Sequence, residues 1–157
     1  PPAPTTPKEA ELLAAINKVW KEKYDAGAVV NKQLILNQDA VGIVRGYGRV
    51  FEEANETPHK WVKSDDDILS DERHKFAEKM KKYGDNSFAG MVCDEDTEGM
   101  VALKYKYSCE DTVVQAFVED LLNSNLNSSK AEFISIYCPV VQNVTYMTAA
   151  IFLNDKA

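Results

Sequence analysis

The sequence predicts an α+β protein with helices packed on a small antiparallel sheet. Three observations carry that reading. Apolar residues recur at helical spacing in four stretches, two pairs of apolar runs are placed like the arms of hairpins, and no internal repeat is visible. The resulting order is helix, short strand, two helices, hairpin, helix and closing hairpin. With 157 residues, 45% of them hydrophobic and 27% charged, the chain has the composition of one globular domain. Residues 8–157 are assigned to that domain and residues 1–7 to a disordered, Pro-rich lead-in.

Thr6-Pro7-Lys8-Glu9 fits a capping box with proline at the first helical position. Leu12, Leu13, Ile16, Val19, Trp20 and Tyr24 then form one helical stripe, closed by Gly27. Leu34-Ile35-Leu36 reads as a short strand. Asn37 is the expected N-cap of a second helix whose stripe is Ala40, Val44, Tyr47, Phe51 and Ala54. Gly42, Gly46 and Gly48 weaken that helix, by up to ~1 kcal/mol each against Ala, unless their small size serves close packing. Residues 56–68 read as a polar loop around Pro58 and Asp65-Asp66-Asp67, and Ser70 to Gly84 as a helix carrying Phe76, Met80 and Tyr83. Phe88–Cys93 and Met100–Tyr107 are expected to pair as a hairpin around the acidic turn 94–99. Ser108-Cys109-Glu110-Asp111 resembles another capping box, ahead of a helix with Val113, Val114, Phe117, Val118, Leu121 and Leu122 on one face. An Asn/Ser-rich loop, 123–129, leads to strands near 132–138 and 144–153.

Charge narrows the partners. A formal net charge of −7 lacks the basic footprint that nucleic-acid binding requires and disfavours anionic membranes. No apolar run approaches the roughly 20 residues of a membrane span. The opening Pro-Pro-Ala-Pro-Thr-Thr-Pro looks like a mature N-terminus left after signal-peptide removal. Three N-x-S/T sequons, at Asn55, Asn127 and Asn143, exceed the roughly one expected by chance and suggest a secreted glycoprotein.

The residues of catalysis are sparse. Asp94, Asp96, Glu98 and Gly99 match the first positions of a calcium loop, but Tyr105 stands where the bidentate glutamate belongs, so a solvated turn is expected and no metal site. His59 and His74 lack the spacing of a zinc set, no nucleophile elbow or phosphate-cradling glycine loop occurs, and no cofactor is implied. A hydrolase would need a site assembled from distant residues, such as a cysteine with one of these histidines.

Cysteines number three. In the expected hairpin Cys93 lies beside the turn with Cys109 roughly 30 Å down the other strand, far beyond bridging distance. A helix of about 20 Å follows Cys109, and the strand ending at Cys138 runs back a similar length, so Cys109–Cys138 is the preferred disulfide. Cys93 is then the free-thiol candidate, or pairs between molecules. Three reduced, buried cysteines are the alternative.

Four stretches resemble the CAP superfamily of secreted antigen 5, pathogenesis-related and helminth proteins. They are Leu12–Trp20, Gly84-Asp85-Asn86, Val113–Asp120 and Tyr137-Cys138-Pro139-Val140. The resemblance implies an α-β-α sandwich. It also places Ile16 and Asp85 where the family has a metal-binding histidine and a glutamate, and the strand bearing its second histidine has no counterpart before Tyr137. A member so altered would keep the fold without the metal cleft. The expected function is a secreted, non-enzymatic recognition protein binding an extracellular or host protein. An extracellular carrier of a small apolar ligand such as a lipid or sterol is the alternative.

Overall fold

The computed structural model describes residues 6–37, 41–57, 59–60, 87–97 and 100–155. In chain order these form α1 (Pro7–Asp25), β1 (Ile35–Leu36), α2 (Val41–Ala54), β2 (His59–Lys60), β3 (Phe88–Val92), β4 (Asp94–Thr97), β5 (Met100–Leu103), β6 (Tyr105–Lys106), α3 (Asp111–Asn123), a 3-10 turn (Ser128–Lys130), β7 (Phe133–Tyr137), β8 (Val140–Val141) and β9 (Val144–Phe152). The expected helix from Ser70 to Gly84, with His74, lies outside the described residues, as do Trp61, the run Asp65–Asp67 and residues 1–5 of the lead-in.

At the start of α1 both halves of the capping box form. The Glu9 amide donates to Thr6 Oγ1 at 3.3 Å and the Thr6 amide to Glu9 Oε2 at 3.0 Å. Thr6 and Pro7 therefore belong to the helix rather than to the lead-in, because proline is preorganised for a position whose N–H needs no partner. Leu12, Ile16, Val19 and Trp20 make the buried face, and Gly27, at φ 77°, takes the left-handed conformation after the helix. Asn17 on the same helix behaves like a piece of strand. Its Nδ2 donates to the Leu34 carbonyl at 3.0 Å and its Oδ1 accepts from the Leu34 amide at 2.8 Å, aiming the chain into β1.

Asn37, the expected cap of α2, serves the sheet through its backbone; residues 38–40, which join it to α2, lie outside the described residues. The Asn37 amide donates to the Ile134 carbonyl at 2.7 Å and its carbonyl accepts from Ser135 Oγ at 2.8 Å, so its backbone extends the parallel pairing of β1 with β7. On α2, Val44, Val50 and Phe51 are buried. Gly48 is needed for closeness: a Cβ there would run into the ring of Tyr137, whose hydroxyl donates to Glu52 one turn further along the helix.

The larger sheet has the order β1-β7-β9-β3, with β6 and β8 also paired to β9. β9 is its axis. β7 and β8 run antiparallel along one edge of it, β3 and β6 along the other. Strand alternation sorts the side chains into two layers. Ile134, Ile136, Met147, Ala149 and Ile151 face α1 and α3, meeting Leu12, Ile16, Trp20, Phe117 and Leu121. Ala150 and Phe152, with Phe133 and Tyr137, face Val44 of α2. The sheet is thus covered by helix on both sides, an α+β fold in three layers.

The expected hairpin is redistributed. Phe88–Val92 pairs with β9, not with the segment after the turn, and the hairpin proper is β4 with β5, from Asp94↔Leu103 to Thr97↔Met100. Asp94–Thr97, expected as a turn, is strand. His59–Lys60, expected in a loop, adds to β5 and completes a small three-stranded sheet. Val101 and Leu103 of this sheet pack with Val50, Phe51 and Val141. The expected capping box at Ser108 does not form either. Glu110 is the N-cap with no side-chain cap bond, and Ser108 Oγ instead accepts from the Glu110 amide at 3.1 Å.

Candidate functional site

Where the small sheet leaves the large one, the chain opens a cleft of about 380 Å³. Met91, Val92 and Cys93 form one wall, Lys104 the rim, and Asp120 and Ser124 of the α3 C-terminal region the other wall. The join is fixed by backbone: the Lys104 amide donates to the Cys93 carbonyl at 3.1 Å, where β4 and β5 meet the larger sheet. Cys93 therefore sits beside Lys104 at the base of the hairpin, not at its tip.

Gly90 sets the wall's position. Pairing of β3 with β9 slips between Phe88 and Gly90, a bulge, and Gly90 has φ 148°, open to glycine and strained for other residues. A Cβ at Gly90 would strike Ser124 Oγ and come within 3.0 Å of the Leu121 carbonyl oxygen. This contact lets Ser124 tie the walls together: its Oγ accepts from the Met91 amide at 3.1 Å and donates to the Leu121 carbonyl at 2.7 Å.

Polar chemistry converges on Asp120. Its Oδ2 accepts from Tyr105 Oη at 2.5 Å and faces Lys104 Nζ at 2.7 Å. Burial pushes the Asp120 carboxyl up, but the hydrogen bonds from Lys104 and Tyr105 and the Lys104 charge outweigh it, leaving its pKa below the ordinary carboxylate value. Burial, then Asp120 and Glu95, drives the Tyr105 phenol well above the ordinary tyrosine range. Below it, the Tyr105 ring meets Phe117 edge-on, at 5.3 Å between centroids. Near neutral pH Asp120 is therefore held as the anion and Tyr105 as the neutral phenol.

From sequence, Lys104-Tyr105-Lys106-Tyr107 reads as a strand with one wet face, and nothing links it to Asp120. Alternation along Lys104-Tyr105-Lys106-Tyr107 places Lys104 and Tyr105 on opposite faces. The strand breaks between β5 and β6 at Lys104, and both side chains reach one carboxylate. His59 lies in β2, in register with Val101. Among the described residues no group of three or more His, Cys, Asp or Glu is placed to hold a metal ion. Ile16, which the CAP resemblance aligns with a metal-binding histidine, is fully buried in the α1 face of the core. No helix of the described residues is long and apolar enough to cross a membrane.

All three cysteines are thiols in this structure, Cys109 exposed and the other two half-buried. The sequon asparagines lie in turns. Asn55 follows α2 at φ 49° and Asn143 lies in the β8–β9 turn at φ 63°; both are exposed. Asn55 braces that turn, accepting from the Gln142 amide at 2.9 Å through Oδ1 and from Gln142 Nε2 at 3.1 Å through its carbonyl. Asn127, half-buried, precedes the 3-10 turn. The chain matches no known family, no curated protein and no solved structure.

Proposed function

We propose that the protein is a secreted, non-enzymatic recognition module whose cleft beside the β4–β5 hairpin engages an extracellular protein. One observation carries this reading. Lys104 and Tyr105 are both paired to Asp120, and the Asp120 and Tyr105 pKa values are displaced outward from neutrality, away from the range a general acid or base needs. Such a set presents a constant pattern of charge and hydrogen bonds next to the apolar atoms of Met91 and Val92, which suits recognition better than proton transfer.

Carriage of a lipid-sized ligand is supported less. The layer between α1, α3 and the sheet, where a carrier would hold its cargo, is filled by Trp20, Phe117, Leu121, Ile134 and Ile151, each with no exposed surface. Secretion draws support from the surface turns that carry Asn55, Asn127 and Asn143.

Native mass spectrometry of protein made in a eukaryotic secretory host tests the reading. The expected spectrum shows glycan mass removed by an amidase specific for N-glycans, and no bound lipid. A glycan-free chain overturns the secreted assignment. A lipid-sized adduct replaces recognition with carriage.

A further inference from the structure

Cys109 and Cys138 are far apart in sequence but flank the same helix turn. Tyr137 is in register with Thr148 and the Tyr146 amide donates to the Pro139 carbonyl at 2.8 Å, so Cys138 runs beside Met147 on one edge of β9. On the other edge Tyr105 pairs with Met147, and the Tyr107 amide donates to the Thr145 carbonyl at 2.8 Å. Antiparallel neighbours share a face. Cys138, Tyr105 and Tyr107 accordingly pack against the same core layer, the one beneath α1.

The first turn of α1 covers this spot. Tyr107 Oη lies 3.1 Å from the Lys8 carbonyl and 3.2 Å from Glu11 Oε2, and Lys8 Nζ stands over the Tyr107 ring at 4.9 Å. Cys109 Sγ donates to Tyr107 Oη at 3.3 Å, which holds the exposed thiol over the same turn. Cys138 feels that turn as well. Burial, then the Glu9 carboxylate, push its thiol up to about 12 against the opposing charge of Lys8, and the Cys109 sulfur is near enough to add to the rise.

We propose that Cys109 and Cys138 form a dithiol–disulfide pair with unequal roles, Cys109 as the entry thiol that attacks an external low-molecular-weight disulfide and Cys138 as the resolving thiol. In the first step the Cys109 thiolate, its proton released to solvent, attacks one sulfur of the external disulfide. That S–S bond breaks, the mixed disulfide forms on Cys109, and one thiol leaves after taking up a proton. In the second step the Cys138 sulfur attacks the Cys109 sulfur of the mixed disulfide, its own proton passing to solvent. The protein disulfide forms and the second external thiol departs protonated. Overall the protein loses two hydrogens and the external disulfide gains them. Exposure assigns the order, since a half-buried sulfur under α1 meets a bulky disulfide less readily than an exposed one. Bridging takes Cys109 off Tyr107 and ties the β6–α3 connection to the β7–β8 corner. The pair stands independently of the role proposed for the cleft.

The test uses the reduced full chain and oxidised glutathione, followed by acid quenching, alkylation, intact mass and peptide mapping. The wild type is expected to lose two hydrogens, with Cys109 and Cys138 joined in one peptide pair and Cys93 alkylated. Cys138→Ser is expected to stop with a single glutathionyl group on Cys109, and Cys93→Ser to behave as the wild type. Matching circular dichroism and melting midpoints for the reduced proteins establish that the variants are folded. A wild type that stops at the mixed disulfide, glutathionyl capture on Cys138 ahead of Cys109, or a bridge that includes Cys93 would each overturn the assignment.

Discussion

Replacing Gly90 with alanine probes the joint between β3 and α3, and its cost can be built from parts. An L-residue at φ 148° carries strain of about 1–3 kcal/mol. The new Cβ displaces Ser124 Oγ, which gives up its bonds to the Met91 amide and the Leu121 carbonyl, each worth about 0.5–1.5 kcal/mol. Leu121 O, at 3.0 Å from the Cβ, is backbone and yields little. Together these give a destabilisation of about 2–6 kcal/mol, or a drop in melting midpoint of roughly 5–20 °C for a chain of this size. Urea unfolding followed by tryptophan fluorescence reads it, with the m-value expected to stay constant. Ser124→Ala supplies the control. Alone it costs about 1–2 kcal/mol, but in the Gly90→Ala background, where the serine's bonds are already lost, it should cost almost nothing. Additive costs, or a Gly90→Ala loss below about 1 kcal/mol, would show that Gly90 is not what sets the approach of β3 to α3.

Two further perturbations report on the same region. Phe117→Ala empties a site with no exposed surface and removes the edge-on partner of Tyr105, so a loss of about 3–5 kcal/mol is expected in urea titration; less than about 2 kcal/mol would mean that the α3 layer collapses to fill the gap. Asp120→Asn should cost about 1–2 kcal/mol at neutral pH, since Asp120 and Lys104 are each about a third exposed, at 31% and 36%. Because the folded pKa of Asp120 lies below its unfolded value, the carboxylate's contribution is complete above the unfolded range near pH 4 and disappears as pH falls through the folded value. Asp120→Asn should therefore flatten the acid limb of the stability curve while leaving the limb above pH 5 parallel to the wild type. An unchanged acid limb would refute the linkage.

The parts legible in the sequence are those whose signals are local. The Thr6–Glu9 capping box and the stripe through Leu12, Ile16, Val19 and Trp20 lie within a few residues of one another, and α1 matches them. The face of α3 and the close approach at Gly48 were readable for the same reason, although the ring that Gly48 meets, Tyr137, was not. Strand partnership is decided elsewhere. The expectation that 88–93 pairs with 100–107 follows neighbours in sequence, whereas Met91 pairs with Ala150 because β9 carries the apolar alternation that both helical layers require. The cleft was illegible because it depends on a strand break at Lys104 and on the end of a helix sixteen residues further on, at Asp120.

The position of β9 in the chain has a consequence for biosynthesis. Among the described residues β3, β6 and β8 find their ladder partner only in Val144–Phe152, and β7, which otherwise has only the two-residue β1, finds its long antiparallel partner there; β9 leaves the ribosome after all of them. Until then α1 and α3 have little sheet to cover, and the apolar faces of Leu12, Trp20 and Phe117 stay open to solvent or to a chaperone. The larger sheet closes when its axis arrives. A premature stop ahead of Val144 therefore yields a chain that lacks the sheet's axis, and its expected fate is aggregation or degradation rather than a smaller folded domain.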